Sequence, residues 1–177
     1  MTRETYRCPG RFTKQLALFE SNPKLGLVGT HAEFVDLEGR LLYIWRPPAN
    51  PALLRKFMHL QNPFVHSSVM YTSEAIRTVG FYSEEYPASE DYELFFRIAK
   101  HFEIAMIGDI LMRCDLNPKG LSVRKRNAQM RSALSVRLRN FDPRVIESYK
   151  GLVRGAISSI MPLEWVNAIK RQMWGRE

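Results

Sequence analysis

One stretch of this chain constrains its fold more than any other: an apolar stripe that follows a cluster of acidic residues. Glu90, Asp91 and Glu93 come directly after Ser89, and the stripe then runs at helical spacing to Phe102. Its members are Tyr92, Phe95, Phe96, Ala99 and Phe102. The spacing predicts an amphipathic helix, with Ser89 as its N-cap and the acids stabilised by the unpaired N–H groups of the first turn. Because such a helix must bury its apolar face against another layer, and β-rich runs lie on both sides of it, the pattern predicts an α/β fold.

The other elements are predicted from periodicity, turn residues and prolines. In chain order they are a helix with apolar Phe12, Leu16 and Phe19; a hairpin of strands 25–36 and 40–45 around Glu38-Gly39; a helix over 52–60; a buried β-rich run over 64–71; a short helix over 73–79 that ends at Gly80; two short strands, 104–107 and 110–113, around Gly108-Asp109; and helices from Leu121 onward, interrupted near Pro143 and Pro162.

Charge divides the 177-residue chain unevenly. Residues 1–112 carry 12 Lys/Arg and 13 Asp/Glu, whereas residues 113–177 carry 14 Lys/Arg and 5 Asp/Glu, so the last third holds all of the net charge of +8. The excess predicts a surface for an anionic partner, with membrane lipid, nucleic acid and acidic polymer all left open, or else a solvated helical face.

Several classes of protein are disfavoured by the sequence. No run of about 18 apolar residues predicts a membrane span, and the first ten residues lack the apolar core of a signal peptide. Cys8 and Cys114 stand far apart, as expected of two buried thiols in a reducing cytoplasm. The four histidines show no zinc-type spacing, and phosphate-binding glycine motifs are absent.

Five motifs then occur in a distinctive order. They are Pro9-Gly-Arg-Phe-Thr-Lys-Gln15; Asn22-Pro-Lys-Leu-Gly-Leu-Val-Gly29; Asn62-Pro-Phe-Val-His-Ser-Ser-Val-Met70 with Gly80-Phe-Tyr82; Glu90-Asp-Tyr-Glu-Leu94 with Arg97; and Asn117-Pro-Lys-Gly-Leu-Ser122. Together they resemble the second half of family 2 glycosyltransferases, which are GT-A enzymes that use nucleotide-sugar donors, many of them in polysaccharide biosynthesis. The resemblance covers about residues 7–125.

The resemblance implies a fold and a set of roles. Residues 1–122 would form the C-terminal half of a GT-A domain, a Rossmann-like α/β unit with a mixed sheet, and residues 123–177 a basic helical extension. Asp91 would be the general base of an inverting sugar transfer, and Glu90 would shape the acceptor pocket. Asn62, His66 and Arg97 would bind substrate, although a satisfied core histidine remains an alternative for His66. From the acids alone, a purely structural first turn remains an alternative as well.

The resemblance also predicts what this chain lacks. The family's metal-binding Asp-x-Asp would fall at about residues 2–4, where Glu4 is the one acid, and Asn117 stands where the family often has a metal-binding histidine. We therefore expect no cofactor on this chain alone, a divalent Mn or Mg in the complete enzyme, and weak binding of the nucleotide-sugar donor. Two other functions remain open: a non-catalytic, oligomeric binding module, and a nucleic-acid-binding protein that uses the basic tail.

The basic tail, residues 123–177, bears on the cellular location of the protein. Arg124-Lys-Arg126 precedes a predicted helical stripe of Met130, Leu134 and Leu138, and more apolar residues alternate with Lys and Arg up to Trp174. This pattern suits helix packing or an interfacial helix on anionic lipid, and it accompanies no known nucleic-acid-reading motif. We expect a cytoplasmic protein with peripheral contact at the inner face of the membrane, a sugar acceptor that includes lipid-linked ones, and a homo-oligomer, because half of a sheet would leave an unpaired edge.

Overall fold

The computed structural model describes residues 5–7, 9–117, 125–160 and 172. Its sheet is built around the strand over Leu25–Val35, which pairs with three others. The strands are β1 (Thr5–Arg7), β2 (Leu25–Val35), β3 (Leu41–Trp45), β4 (Met70–Tyr71) and β5 (Glu103–Asp115). β5 runs parallel to β2, and β1 pairs antiparallel with the end of β5. β3 and the two-residue β4 both pair antiparallel with β2. The result is a mixed sheet in the order β1-β5-β2-β3, so that together with the helices the fold is α/β.

Six helices lie in the described part of the chain. They are α1 (Arg11–Ser21), α2 (Pro51–Leu60), α3 (Ser73–Val79), α4 (Glu90–His101), α5 (Arg126–Arg139) and α6 (Ile146–Ile160). The core lies where α4 meets the sheet, α2 and α5, and Leu27, Leu54, Phe95 and Val136 are among its buried members. Within the described ranges, no helix combines the length and the apolarity that crossing a bilayer demands.

Locally encoded elements are confirmed. α4 begins at Glu90 and buries Tyr92, Phe95, Phe96 and Ala99. The β2–β3 hairpin turns through Gly39, whose φ of 81° suits a glycine, and α3 ends at Gly80 with a φ of 82°. α2 begins one residue earlier than predicted, at Pro51, because the Asn50 side chain caps its first N–H groups.

The run over 64–71 is not the buried strand that its composition predicts. It contains a 3₁₀ turn, His66–Ser68, followed by the two-residue β4, and His66 and Ser67 are exposed. Two α1 side chains supply the hydrogen bonds that a ladder would have made: Arg11 Nη1 donates to the Ser67 carbonyl at 3.0 Å and Gln15 Nε2 to the Ser68 carbonyl at 2.9 Å.

The prediction of two short strands around Gly108-Asp109 is also wrong, because β5 is continuous. Thr30 pairs with Ile107 and the next residue, His31, pairs with Ile110, so Gly108 and Asp109 form a bulge within the strand. A bulge absorbs the extra residues without ending the pairing.

The apolar stripes noted in α1 and α5 are not the buried faces of these helices. α1 buries Arg11 and Gln15, while Phe12 and Leu16 are 44% and 51% exposed. α5 buries Ser132, Ala133 and Val136 and exposes Leu138, so the buried face is not the predicted Met130–Leu134–Leu138 stripe. Cys114 is buried, as expected. Cys8, Glu4 and the predicted tail from residue 161 lie outside the described residues, apart from Gln172.

Candidate functional site

The N-terminus of α4 is positioned by a loop that α5 holds in place. In that loop Ala88 adopts a left-handed φ of 62°, and Tyr86 is buried. Arg139 of α5 donates to the Tyr86 hydroxyl at 2.8 Å. Ser89 does not cap α4 with its side chain; its hydroxyl instead donates to the Gln129 carbonyl of α5 at 3.1 Å. The predicted cap is therefore a tertiary contact that fixes where α4 begins.

Asp91 lies at this N-terminus and is approached by two of the residues predicted to bind substrate. Its Oδ1 accepts from the backbone N–H of Tyr92 at 2.7 Å. Its Oδ2 lies 3.5 Å from Asn62 Nδ2 and 3.7 Å from His66 Nδ1. The Asn62 carbonyl Oδ1 accepts from the N–H of Phe64, which orients the amide toward Asp91. The fold thus brings together three residues that the sequence separates by up to 29 positions.

His66 is a surface residue of this site and not a core histidine. Its side chain is 60% exposed, and that of Asp91 is 21% exposed, so both are reachable from solvent. The Asp91 carboxylate, as hydrogen-bond acceptor and as opposite charge, raises the pKa of His66 above its ordinary value, against the opposing effect of burial. The His66 ring also lies 5.9 Å from the ring of Tyr82, at an angle of 32°.

Tyr82 forms the other wall beside His66. Partial burial, followed by a hydrogen bond with Tyr71, raises the pKa of Tyr82, and the Asp91 and Glu90 carboxylates add to the effect. Its hydroxyl therefore stays protonated at neutral pH and can donate a hydrogen bond. Tyr82 belongs to the Gly80-Phe-Tyr82 motif, but the sequence alone does not mark it as a site residue.

The three acids of the first turn have separate environments. Glu93 is buried and receives Arg97 Nε at 2.8 Å, so it forms a structural ion pair. Glu90 Oε2 is buried and has no hydrogen-bond partner among the described groups. A buried carboxylate oxygen without a hydrogen-bond donor is uncommon in folded proteins, so Glu90 differs from Glu93 in having no structural partner for this atom.

Arg97 does not join the Asp91 cluster. Besides Glu93, its guanidinium donates to three consecutive carbonyls, those of Val79, Gly80 and Phe81. These contacts use the donors of Arg97 to tie the end of α3 and the start of the following loop to α4. The described contacts of Arg97 are therefore those of a structural support behind the site, and its binding of substrate stays a prediction.

Two residues that hold the floor of the site were missed by sequence reasoning. Arg11 and Gln15 are nearly inaccessible and bind the 3₁₀ turn that carries His66. Gln15 Nε2 also donates to the Val28 carbonyl of β2 at 2.9 Å, so it links α1, the sheet and the turn. The sequence does contain a signal for them, because Arg11 and Gln15 are four residues apart and therefore share one face of α1. That spacing does not reveal that this polar face is the buried one, since burial depends on the carbonyls that it meets.

The described residues hold no cluster that could bind a metal ion by itself. No group of three or more His, Cys, Asp or Glu in those ranges is placed to share an ion. Asn117 follows β5 and is partly exposed, and Glu4 is outside the described ranges.

The arrangement around Asp91 is suited to accepting a proton from a hydroxyl. A carboxylate at a helix N-terminus, oriented by two donors and open to solvent, can act as a general base when a hydroxyl comes within hydrogen-bond reach. The imidazole, the phenol and the second carboxylate around it are polar groups that can hold a polyhydroxylated ligand.

Three curated proteins are similar to this chain. The amylovoran biosynthesis glycosyltransferase AmsE of Erwinia amylovora is 30% identical over 106 residues, 59% of this chain and 39% of that protein. An uncharacterized glycosyltransferase of Haemophilus influenzae is 28% identical over 127 residues, 71% and 46% of the two chains. The uncharacterized glycosyltransferase MJ1057 of Methanocaldococcus jannaschii is 26% identical over 107 residues, 59% and 37%.

No protein-family model matches the chain. The chain spans 37–46% of the length of these relatives. Identity at this level over most of the chain, with three proteins of the same name class, makes the chain a distant relative of glycosyltransferases.

Proposed function

We propose that this chain forms the acceptor side of a family 2, GT-A glycosyltransferase in which Asp91 deprotonates the acceptor hydroxyl. The observation that carries the proposal is the Asp91 carboxylate, partly exposed and lying within 3.7 Å of both Asn62 Nδ2 and His66 Nδ1. The distant similarity to glycosyltransferases supplies the class of reaction. The structural alternative, an acid that merely stabilises a helix start, requires neither of these neighbours.

The proposed reaction is an inverting displacement at the anomeric carbon. Asp91 Oδ2 takes the proton of the acceptor hydroxyl, and the oxygen forms a bond to the anomeric carbon of the donor sugar. The bond from that carbon to the diphosphate oxygen breaks, and the nucleoside diphosphate leaves on the opposite face. Asn62 and His66 hold the Asp91 carboxylate toward the hydroxyl, and Glu90, the residue before Asp91, shapes the acceptor pocket.

Donor binding is proposed to need the part of a relative that this chain does not span. More than half of each curated relative lies outside the matched segment. Without groups that cradle the diphosphate, little would stabilise the leaving group. We expect this chain alone to bind nucleotide-sugars weakly and to transfer sugar slowly or not at all.

The test supplies the portion of a relative that lies outside the matched segment. The chain is joined to the unmatched portion of the Erwinia relative, and release of nucleoside diphosphate is measured with a panel of acceptors. Asp91→Asn should lower turnover by about 10²–10⁴-fold, the usual contribution of a general base. The matched control is Asp109→Asn, because Asp109 is an exposed acid on the β5 bulge that pairs with Lys14. Equal turnover of the two variants would reduce Asp91 to a helix-start residue.

A second function is favoured by the exposed apolar face of α1. Phe12 and Leu16 are about half exposed, although α1 buries polar residues. Exposed apolar patches mark association surfaces. A non-catalytic, oligomeric binding module would use this face, and light scattering should then show a dimer or larger species that dissociates in a Phe12→Ser, Leu16→Ser double variant. A monomeric wild-type chain at micromolar concentration would exclude it.

A further inference from the structure

The outer face of α6 is apolar, which is the reverse of an ordinary surface helix. Four large residues repeat at spacings of three or four, so they share one stripe. They are Ile146, Tyr149, Val153 and Ile157, which are 57%, 47%, 60% and 51% exposed. An amphipathic helix normally buries such a stripe, but here it points away from the body of the protein.

The inner face of α6 explains this orientation. Ser148, Gly151 and Gly155 are the buried residues, and they let α6 approach α2 and α5 closely. A Cβ on Gly151 would lie 2.0 Å from the His59 carbonyl oxygen of α2, and one on Gly155 would lie 2.8 Å from Arg137 Nη1 of α5. No face with large side chains could take this position, so close packing commits the apolar stripe to the outside.

The segment that carries the stripe has a small positive excess. Residues 141–160 contain three basic residues, Arg144, Lys150 and Arg154, and two acids, Asp142 and Glu147. Lys150 is four residues from Ile146 and three from Val153, so it borders the stripe, and it is exposed with no partner among the described residues. Burial lowers the pKa of His59 on α2, and the charges of Asp142 and Glu147 oppose that effect, so both acids lie near the α2 side.

The apolar surface extends beyond the helix. The Phe141 ring packs edge-on against Tyr149 with their centroids 4.9 Å apart, and Phe141 is itself 36% exposed. Arg144, 87% exposed, follows it in the same connection between α5 and α6, where it forms an ion pair with Asp142 at 3.1 Å. The surface is therefore an apolar strip with the exposed Lys150 at its border.

We propose that the outer face of α6 lies on a bilayer that contains anionic phospholipid. The stripe would enter the boundary between headgroups and acyl chains, and the ammonium group of Lys150 would meet the lipid phosphates. A single convex helix with an apolar stripe and a bordering cation suits an interface of this chemistry, which rewards both apolar burial and positive charge. The proposal uses residues distant in sequence from Asp91 and does not depend on sugar transfer.

The test is flotation of the 177-residue chain with vesicles of phosphatidylcholine alone or mixed with phosphatidylglycerol. Binding is expected to the mixed vesicles, to fall as salt rises, and to weaken on the order of tenfold or more in a Val153→Ser, Ile157→Ser double variant. A matched control is Leu37→Ser with Leu41→Ser, which changes two equally exposed leucines of the β2–β3 region and should bind as wild type.

A separate measurement distinguishes membrane contact from self-association. Both double variants are first shown by thermal unfolding to be folded, which is expected because all four side chains are exposed. Unchanged vesicle binding of the α6 variant, or equal binding to vesicles with and without phosphatidylglycerol, overturns the proposal. The proposal is also overturned if the wild-type chain does not bind vesicles and instead forms a dimer, and if only the α6 variant fails to dimerise.

Discussion

His66 Nδ1 lies 3.7 Å from Asp91 Oδ2, across a gap of 25 positions in the chain. One partner comes from a 3₁₀ turn that α1 holds, and the other from the first turn of α4. The pair makes the histidine a reporter of the carboxylate, because Asp91 raises the pKa of His66.

The first prediction is that Asp91→Asn lowers the pKa of His66 toward its ordinary value of about 6.5. Titration of the imidazole protons by nuclear magnetic resonance measures it. The internal control is His59, whose pKa is lowered chiefly by burial beside α6 and should not move. A His66 titration that is the same in both proteins would contradict the pairing.

The same pair predicts how stability depends on pH. Because the pKa of His66 is raised in the folded state, its contribution is fully present below the unfolded pKa of about 6.5 and is lost as pH rises through the folded pKa. Asp91→Asn should therefore cost more stability at about pH 5.5 than at about pH 8.5. The difference should stay below about 1 kcal/mol, since His66 is largely exposed and solvent screens the pair. Urea unfolding of the wild-type and Asp91→Asn proteins at the two pH values measures this difference. A larger loss of stability at the higher pH would contradict the prediction.

Arg97 is predicted to matter for stability through Glu93. Arg97→Met would leave the buried Glu93 carboxylate unpaired, which typically costs about 3–5 kcal/mol. It would also free the carbonyls of Val79, Gly80 and Phe81. A second substitution, Glu93→Met, should recover much of the loss, because an apolar pair can replace a buried ion pair. Urea unfolding of the single and double variants tests this, and a double variant less stable than Arg97→Met alone would show that the ion pair is not the main term.

Gly151 and Gly155 form a matched pair for testing the packing of α6. Alanine favours a helix interior by about 1 kcal/mol over glycine. At Gly151 the new methyl would meet backbone, the His59 carbonyl, so Gly151→Ala should destabilise by about 2 kcal/mol or more. At Gly155 it would meet the movable ends of Arg137 and Leu134, so Gly155→Ala should be near neutral. Thermal unfolding measures both, and equal effects would refute the close approach of α6 to α2.

Donor binding is the last prediction. Calorimetry of the 177-residue chain with uridine, guanosine and thymidine diphosphate sugars, with manganese present, should show weak binding or none. Micromolar affinity for any one of these donors would mean that this chain binds the nucleotide by itself. The proposal that donor binding needs a further part of the enzyme would then be wrong.

The sequence alone determined the elements whose signals are local. The Tyr92–Phe102 stripe predicts α4, Gly39 predicts the hairpin turn, and Gly80 predicts the end of α3, because each depends on residues a few positions apart. The grouping of Asp91 with His66 and Asn62 came from resemblance to a family, since the spacing of these residues carries no information about distance in space.

Tertiary structure decided which face of each outer helix is buried. α1 turns Arg11 and Gln15 inward because the carbonyls of the 3₁₀ turn and of Val28 need donors. α6 turns Gly151 inward because the α2 backbone leaves no room for a side chain. In both cases periodicity predicts that a helix forms, but the buried face depends on a partner supplied by a distant part of the chain: unpaired carbonyls for α1 and a close backbone for α6.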